Sequence, residues 1–311
     1  MASRRERRFR VADVFVVGSI NQDFVLSVER RPEPGETVTD ARLATHNGGK
    51  GANQSAAAAL LGANVAFLGC VGDDGFGGPL VRSLSDKSVE TTLVQEVPGS
   101  STGAAFITVT PDGENAITVA PGANRRLTAE DVDDASGFIG EARVLVAQME
   151  VPPEVVLRAV EVAAGNGTRA LVNLAPPFEV PRALLEKLDP LVINEHEAAF
   201  LLGESVESVD EALDAVPRLL SLGPRSVVVT LGEEGAVFSG GESAQHLTAP
   251  KVKVVDTTGA GDAFVGALAA KLATDAPLED AVAYAVRAGA AAVTEAGAQG
   301  ALPTPETLEA L

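Results

Sequence analysis

The sequence predicts an α/β protein with a mostly parallel central sheet, helices on both of its faces and a small additional β-sheet. Apolar segments typical of strands alternate with segments of helical periodicity, most regularly over residues 143–230. Two β-rich segments, residues 23–47 and 101–121, interrupt this alternation. A length of 311 residues with 46% hydrophobic content is sufficient for a large core.

The elements can be assigned in chain order from their hydrophobic periodicity. We predict strands over residues 12–18, 64–70, 143–148, 169–173, 190–193 and 226–230. We predict helices over residues 53–62, 77–86, 153–164, 181–187, 195–202, 210–222 and 278–292. The two β-rich segments contain strand-like pieces at residues 24–28, 37–39, 105–109 and 116–119, with turns at 32–35 and 111–113. These pieces are expected to form the small sheet.

Charge and cysteine content restrict the class of protein. The formal net charge of −19 disfavours nucleic acid and anionic membranes as partners, so a bound phosphate would need local amides, a few basic side chains and metal ions. The single Cys70 and the three scattered histidines indicate a reducing compartment, the cytoplasm, and exclude a Cys/His zinc framework. Residues 1–11 are basic without an apolar run, and we expect a mobile tail there, followed by one domain over 12–311.

Residues 256–264, which read DTTGAGDAF, carry the strongest chemical signal. Residues 251–255 alternate like a strand and residues 263–273 are predicted to be helical, so residues 259–262 lie at a helix N-terminus. The amides and dipole of such a terminus can hold an anion, which two glycines allow to approach closely. Asp262 beside that anion can accept a proton from an attacking hydroxyl, which indicates phosphoryl transfer to an alcohol. The alternative is an ordinary strand-turn-helix in which Asp262 is a capping residue.

The common nucleotide-binding motifs are absent from the sequence. Lys50 lacks both the upstream glycine spacing and the following hydroxyl of a P-loop, and no Gly-x-Gly-x-x-Gly opens a βαβ unit. The spacings of His-Glu-x-x-His zinc sites and EF-hands are also missing. These absences disfavour a P-loop NTPase, a nicotinamide enzyme and a dedicated protein cage for zinc or calcium.

Residues 48–54, which read GGKGANQ, form a second informative segment. It places closely approachable backbone, a cation and two amides just before a helix, and such groups suit the hydroxyls of a polyol. Asn21 and Asp23, on the predicted loop after the first strand, could supply further contacts. The alternative is a glycine-rich turn with Asn53 as the helix N-cap.

Two further strand ends carry polar groups. Asn194 and Glu197 are separated by three positions at the start of a helix, where a carboxylate can hold a hydrated divalent ion, although a capping box has nearly the same pattern. Residues 230–235, TLGEEG, could hold phosphates and ribose or form a simple hairpin.

Taken together and in order, these segments resemble the ribokinase-like family of carbohydrate kinases. The matching stretches are residues 18–23, 34–38, 48–54, 72–74, 101–103, 122–124, 148–150, 194–197, 230–232 and 256–264, within a resemblance that extends from about residue 14 to 303. The resemblance implies a β-sheet lid built from residues of about 22–47 and 100–122. It also implies a homodimer in which two lids clasp each other and protect their strand edges.

The resemblance further implies transfer of the ATP γ-phosphate to a primary sugar hydroxyl, the 5-hydroxyl of D-ribose. Asp262 would be the general base, and the amides of Gly259, Ala260 and Gly261 would form the anion hole. The residues implied to hold the sugar are Asn21, Gln22, Asp23, Gly49, Lys50, Gly51, Ala52, Asn53, Glu150 and Asp262. The residues implied to hold ATP are Asn194, Thr230, Leu231, Gly232, Glu233, Glu234, Gly235 and Gly261.

Two metal ions are implied by the same resemblance. Glu197 would organise Mg²⁺ through water. A potassium-type cation (K⁺) would lie beside the anion hole, held by Asp256, Thr258, Ala292, Glu295, Gly297 and the position of Ala301. The family often has Ser where this chain has Ala301, so a hydroxyl ligand is lost or replaced by water, and Val286 replaces a polar side chain near the adenine.

Two rival hypotheses stay open at this point. A kinase of the same family could act on 2-deoxyribose, another pentose or a nucleoside, because a single hydroxyl distinguishes these acceptors. A catalytically silent sugar-binding or regulatory homologue belongs to another class, and the intact Asp262, Gly259 and Gly261 argue against it.

Overall fold

The structure is a computed structural model that describes residues 11–112, 114–241 and 243–311. The tail predicted for residues 1–11 lies, apart from Val11, outside the described residues. The strands are β1 (Val14–Val17), β2 (Asn21–Ser27), β3 (Arg42–Gly48), β4 (Val65–Gly72), β5 (Val89–Val97), β6 (Gly103–Val109), β7 (Asn115–Ala120), β8 (Val144–Gln148), β9 (Arg169–Asn173), β10 (Leu188–Asn194), β11 (Val227–Thr230), β12 (Ala236–Ser239) and β13 (Gln245–Leu247).

The helices alternate with these strands. They are α1 (Lys50–Leu60), α2 (Gly77–Asp86), α3 (Ala129–Asp134), α4 (Ser136–Glu141), α5 (Pro153–Asn166), α6 (Arg182–Leu185), α7 (Glu195–Leu202), α8 (Val209–Ser221), α9 (Ala260–Leu272), α10 (Leu278–Ala292) and α11 (Pro305–Glu309), with short 3-10 helices at Gly122–Arg126 and Gly232–Glu234. None of the helices in the described part of the chain combines the length and the apolar content needed to cross a membrane.

Among the described residues, nine strands form the large sheet, in the order β13-β12-β11-β10-β9-β8-β1-β4-β5. The strands from β11 to β5 pair in parallel, and β12 and β13 add an antiparallel edge. Alternate residues of β1 enter different cores, since Val14 and Val16 belong to one apolar cluster and Phe15 and Val17 to the other. Helices cover both faces, which confirms the predicted fold class.

The small sheet has the order β3-β2-β6-β7, with β2 and β6 parallel and the other neighbours antiparallel. Strand β2 follows β1 after only three residues, so the small sheet extends directly from the carboxyl end of the central strand. On the sheet, the rings of Phe24 and Phe106 stack with centroids 5.2 Å apart. The large apolar side chains of this sheet that remain exposed are Leu43, Phe106, Ile117 and Val119.

Several predicted elements agree with the structure to the residue: the helices over 77–86, 195–202 and 278–292 and the strand over 169–173. Strand β5 was not predicted, because its sequence VETTLVQEV is half polar and resembles an exposed segment. The helix predicted over residues 53–62 begins three residues earlier, at Lys50.

Three local predictions were wrong. Residues 37–39 form no strand, because residues 42–48 pair with β2 instead. Residues 21–23 begin strand β2 and are not a loop. Residues 251–255 form no strand either, because the Val255 amide donates to the Val293 carbonyl at the end of α10, and Val254 and Val255 stay exposed.

Candidate active site

The candidate site lies where the strand order of the large sheet reverses. The chain leaves β1 toward β4 and β5 on one side and later returns to place β8 on the other side of β1. Ser19 follows β1 and Glu150 follows β8, and the Ser19 hydroxyl donates to Glu150 Oε2 at 2.6 Å. Ligands of open parallel sheets bind in the crevice at such a reversal, outside the carboxyl ends of the strands.

The N-terminus of α1 packs against the corner between β1 and β2, and glycine permits this contact. A Cβ on Gly51 would lie 2.7 Å from Gly18 Cα and from the Ser19 nitrogen. Gly49 is the N-cap of α1 with a φ of 89°, and its Cβ would lie 2.8 Å from the Asn21 nitrogen. The Ala52 amide donates to the Ser19 carbonyl at 2.9 Å. The GGKGAN segment is therefore packed closely against the corner between β1 and β2 and is not a free turn.

Lys50 places a cation among carboxylates at this corner. Its amide donates to Glu150 Oε2 at 3.1 Å. Burial alone would lower the pKa of the Lys50 ammonium, but the negative charges of Asp262, Glu150 and Glu197 raise it above its ordinary value. Lys50 is therefore held charged near Asp262.

Asp262 lies in the first turn of α9 and is only 8% exposed. Its Oδ2 accepts the side-chain amide of Asn53 at 2.8 Å, and its Oδ1 accepts that of Gln54 at 2.9 Å. The N-cap of α9 is Gly259 and that of α1 is Gly49, with no side-chain cap at either. The alternatives in which Asp262 or Asn53 is a cap therefore do not describe this structure.

The turn before α9 provides the amides expected for an anion hole. Gly259 has a φ of 82°, and a Cβ there would lie 2.8 Å from Ala298 Cα. A Cβ on Gly261 would meet nothing within 4 Å, so open space lies above it. The Ala260 amide donates to the Thr257 carbonyl at 3.3 Å, whereas no partner for the Gly259 or Gly261 amide is found among the described residues. The amides of Gly259 and Gly261 are therefore better placed for an anion than that of Ala260.

The start of β2 brings two polar side chains to the site and turns a third away. Asn21 and Asp23 are buried, and alternation along the strand places them on one face. Gln22 lies on the other face, where its side-chain amide donates to the His46 carbonyl at 2.8 Å. The structure thus places the side chain of Gln22, which was expected at the sugar, away from those of Asn21 and Asp23.

Burial raises the pKa of Asp23 from an ordinary 3.8 to about 7, with further contributions from the charges of Glu150 and Asp262. The folded protein binds this proton more tightly than the unfolded chain does. The resulting stabilisation is complete below pH 3.8 and is lost as the pH rises through about 7. Between pH 5 and pH 8 we expect Asp23→Asn to lose less free energy of unfolding than the wild type, by on the order of 1–3 kcal/mol.

Urea denaturation at both pH values measures this difference. Asp40→Asn, at an exposed position, is the matched control and should retain the wild-type pH dependence. An Asp23→Asn curve parallel to that of the wild type would contradict the assigned cause.

The expected ATP residues lie at neighbouring strand ends. Asn194 is opposite Thr230 in the register of β10 and β11. Asn194 and Glu197 form a complete capping box at the start of α7, so the capping pattern is real, and Glu197 is only 5% exposed. Burial raises the pKa of Glu197, while the Asn194 amide and Lys50 oppose the rise.

The segment of residues 230–235 joins β11 to β12 as an antiparallel hairpin. The Leu231 amide donates to the Gly235 carbonyl at 2.8 Å, and Glu233 and Glu234 are exposed on the short helix between them. Residues 230–235 therefore form a hairpin, and the residues at the tip of its turn are open to solvent.

The expected cation residues form two turns in contact. Asp256 Oδ1 accepts the Thr258 amide at 2.9 Å, and Oδ2 accepts the Gly297 amide at 2.8 Å. Burial would raise the pKa of Asp256, but these hydrogen bonds keep it below its ordinary value. Ala292 ends α10, Glu295 is exposed and Ala301 is buried without a hydroxyl. In the described ranges, no cluster of three or more His, Cys, Asp or Glu side chains forms a metal site.

Comparison with known proteins agrees with this geometry. Residues 11–305 match the pattern of the pfkB family carbohydrate kinases. The chain belongs to this family. A ribokinase from Staphylococcus aureus is 38% identical over 296 residues, covering 94% of this chain and 97% of the relative. A deoxyribokinase from Salmonella typhimurium is 36% identical over 295 residues, covering 94% and 96%.

A solved structure shows the same architecture. The ribokinase of Arabidopsis thaliana complexed with ribose and ATP superposes with a TM-score of 0.89 at 30% identity, covering 97% of this chain and 98% of that one. The large mixed sheet flanked by helices and the separate small sheet are thus the ribokinase-like fold. As a member of the pfkB family, the chain is a carbohydrate kinase.

Sequence reasoning missed several residues that shape the pfkB-family site of this chain. They are Ser19, Asn124, Gln148 and Gln299. Asn124 is 1% exposed and donates to Asn21 Oδ1 at 2.7 Å, which orients Asn21 from the short 3-10 helix that follows β7. Gln54 was one of the two amides noted in residues 48–54, but it was not among the residues expected to hold the sugar.

Proposed function

We propose that this carbohydrate kinase is an ATP-dependent ribokinase that transfers the γ-phosphate of ATP to the 5-hydroxyl of D-ribose. The observation that carries the proposal is the buried Asp262 carboxylate, held by two side-chain amides beside the open space above Gly261. The names of relatives that cover almost the whole chain support ribose as the acceptor.

In this mechanism Asp262 is the general base. It accepts the proton of the sugar hydroxyl as that oxygen attacks the γ-phosphorus. The free amides of Gly259 and Gly261 at the start of α9 donate to the phosphoryl oxygens, where negative charge develops, and the helix dipole adds to this stabilisation. Lys50 supplies a positive charge near Asp262, which offsets part of the negative charge of the acidic chain.

The sugar is held at the corner between β1, β2 and α1. Asp23 Oδ1 is buried and has no partner within the described residues, so a sugar hydroxyl can donate to it. Asn21, Asn53, Lys50 and Glu150 supply the surrounding polar groups, and the backbone of Gly49 closes the seat. Carboxylate oxygens accept and side-chain amides both donate and accept, so these groups can pair with the hydroxyls of a sugar.

ATP lies along the neighbouring strand ends, with Asn194 and the hairpin of residues 230–235 at its nucleoside and phosphates. Mg²⁺ is commonly held by one or two carboxylates, waters and phosphate oxygens, and the single Glu197 at the start of α7 fits that pattern. A bound Mg²⁺ neutralises phosphate charge during transfer. Glu197 would hold the hydrated ion and Asn194 would hold the nucleotide, side by side at the start of α7.

The turns around Asp256 and Gly297 fit a monovalent cation. The Asp256 carboxylate is ionised and ties the two turns together through its bonds to Thr258 and Gly297. A K⁺ ion there would add positive charge beside the anion hole. Ala301 offers no side-chain ligand, so the carbonyls of Thr258, Ala292, Glu295 and Gly297 would complete the site.

The small sheet supports a homodimer as part of the proposal. Its exposed side chains Leu43, Phe106, Ile117 and Val119 are apolar, and a second copy of the sheet would cover them. Location in the cytoplasm stays a prediction from the sequence.

The test is a coupled assay of ATP turnover with ribose, 2-deoxyribose, other pentoses and nucleosides, each with and without K⁺. We expect kcat/KM for ribose to exceed that for 2-deoxyribose by about tenfold to a hundredfold, because the missing hydroxyl leaves a buried polar partner unpaired. Equal values for the two sugars would contradict ribose as the preferred substrate. The existence of a 36% identical deoxyribokinase makes 2-deoxyribose the second candidate.

A catalytically silent sugar-binding homologue belongs to a different class of protein. Such a protein would bind ribose in calorimetry without sugar-dependent ATP turnover. The intact Asp262 and the free amides at the start of α9 argue for turnover.

A further inference from the structure

Asp262 is surrounded by a connected group of buried amide side chains, which we call the amide network. Its members are Asn53, Gln54, Gln148, Asn173 and Gln299. Gln54 is 1% exposed and Gln148 is 0% exposed, so both side chains are removed from solvent. Gln54 makes a direct contact with the carboxylate, and Gln148 and Asn173 contact Gln54.

The donor and the acceptor of each hydrogen bond around Gln54 follow from its contact with Asp262. An ionised carboxylate only accepts, so Gln54 must present its NH₂ group to Asp262 Oδ1, at 2.9 Å. The oxygen of Gln54 then faces Gln148, which must present its own NH₂ group, and that bond is 2.7 Å long. The second N–H of Gln54 donates to Asn173 Oδ1 at 3.1 Å. The charge of Asp262 therefore sets the orientation of every amide in this branch.

The supports of Gln54 lie on rigid elements. Gln148 ends β8 and Asn173 ends β9, and these residues are opposite each other in the sheet register. Asn173 is anchored by its own amide, which donates to the Val192 carbonyl at 3.3 Å. A Cβ on Gly18 would lie 2.2 Å from Gln148 Oε1, so only glycine at that position leaves room for the Gln148 side chain.

A second branch reaches the other oxygen of the carboxylate. Gln299 donates to Asn53 Oδ1 at 3.0 Å, and Asn53 donates to Asp262 Oδ2 at 2.8 Å. Each carboxylate oxygen thus receives one amide and keeps lone-pair capacity for a substrate hydroxyl. The Asp262 carboxylate can accept the amides of both Asn53 and Gln54 in one orientation only.

We propose that Gln54, held by Gln148 and Asn173, is a positioning residue that fixes the Asp262 carboxylate in the orientation required to accept the proton of the sugar hydroxyl. This inference rests on the proposed function, in which Asp262 is the base. A base that is held by packed, hydrogen-bonded supports spends little of its time outside the reactive geometry. Gln54 itself need not touch the sugar or ATP.

The test replaces Gln54 by methionine, which has a similar length but no donor. We expect Gln54→Met to lower kcat by about tenfold to a hundredfold, the effect of losing one hydrogen bond to a charged group. KM for ATP should stay within about twofold, because ATP contacts other strand ends. A smaller loss is expected for Gln148→Met, which removes the support of Gln54 and leaves its contact with Asp262.

Gln95→Met is the matched control. The Gln95 amide also donates to a carboxylate, that of Asp131, at 2.6 Å, but on the exposed surface. Its kcat should equal that of the wild type. Gln54→Leu also removes the donor and leaves an uncharged side chain, so it supplies the same test if Gln54→Met does not fold. A loss of kcat is expected for it as well.

The outcomes separate this inference from the proposed function. If Asp262→Ala retains full turnover, Asp262 is not the base and the proposed mechanism fails. If Asp262→Ala abolishes turnover while folded Gln54→Met or Gln54→Leu keeps the wild-type kcat, only the positioning role fails. A parallel rise in KM for both substrates at unchanged kcat would also overturn it, since that result indicates a general distortion of the binding site.

Discussion

Asp262→Ala is expected to lower kcat for ATP-dependent ribose phosphorylation by about 10²- to 10⁴-fold, the range attributed to a general base. Asp262 is buried in the first turn of α9, and its carboxylate is oriented by Asn53 and Gln54. Without it the hydroxyl must lose its proton to water, while the amides of Gly259 and Gly261 still stabilise the phosphoryl group. KM for ATP should change little, since the nucleotide contacts lie at other strand ends.

Alanine is a better replacement than asparagine at this position. An asparagine would place an NH₂ group against one of the two amide donors, and the repulsion would disturb the amide network as well as remove the base. Asp280→Ala is the matched control, because Asp280 also lies in the first turn of a helix, α10, but is exposed. Turnover of Asp262→Ala above about a tenth of the wild-type rate would contradict the role of base.

The second large effect is expected for Gly49→Ala. Gly49 combines a φ of 89° with a Cβ position only 2.8–2.9 Å from backbone atoms of Ser19, Ile20 and Asn21. Because those neighbours are backbone, they cannot move without displacing α1 from the corner of the sheet. We expect a loss of about 2–4 kcal/mol in the free energy of unfolding, from strain and overpacking together. Displacement of Lys50 and Asn53 should also raise KM for the sugar by at least about tenfold.

Gly62→Ala separates the two causes. Gly62 has a φ of 98°, close to that of Gly49, but a Cβ there would meet nothing within 4 Å. Its substitution should cost only the conformational strain, about 1–2 kcal/mol, and leave KM for the sugar unchanged. Urea denaturation and steady-state kinetics on both variants provide the comparison. Equal effects of the two substitutions would show that the close contact at Gly49 has no consequence.

The extent to which the fold could be predicted depended on local periodicity. Helices such as α2, α7 and α10 were predicted to the residue because their apolar spacing and flanking residues are unambiguous. Residues 251–255 alternate like a strand but pair with no strand, because their hydrogen-bond partner is the turn after α10. Strand pairing depends on a neighbour that is distant in the chain, which periodicity cannot reveal.

The candidate site, like the fold, could be predicted from the sequence only in part. The sequence indicated Asp262 and the glycine turn before it, and the resemblance added the sugar and ATP residues. It could not distinguish base from cap at Asp262, and both readings had the same local pattern. The structure shows that Asp262 does not cap α9, and its side-chain partners come from α1, more than 200 positions earlier in the chain. Gln22 was expected at the sugar, but its side chain lies on the face of β2 opposite to that of Asn21 and Asp23.

By itself the sequence determined the family, the glycine positions and the residue types that can perform phosphoryl transfer, since these are written in short segments with fixed spacing. Only the tertiary structure decided which polar groups meet. Gln148 and Asn173 end two strands and contact Gln54 of α1, which in turn contacts Asp262, and this arrangement requires the strand order to reverse at β1. Long-range packing creates that contact, and no local pattern in the chain encodes it.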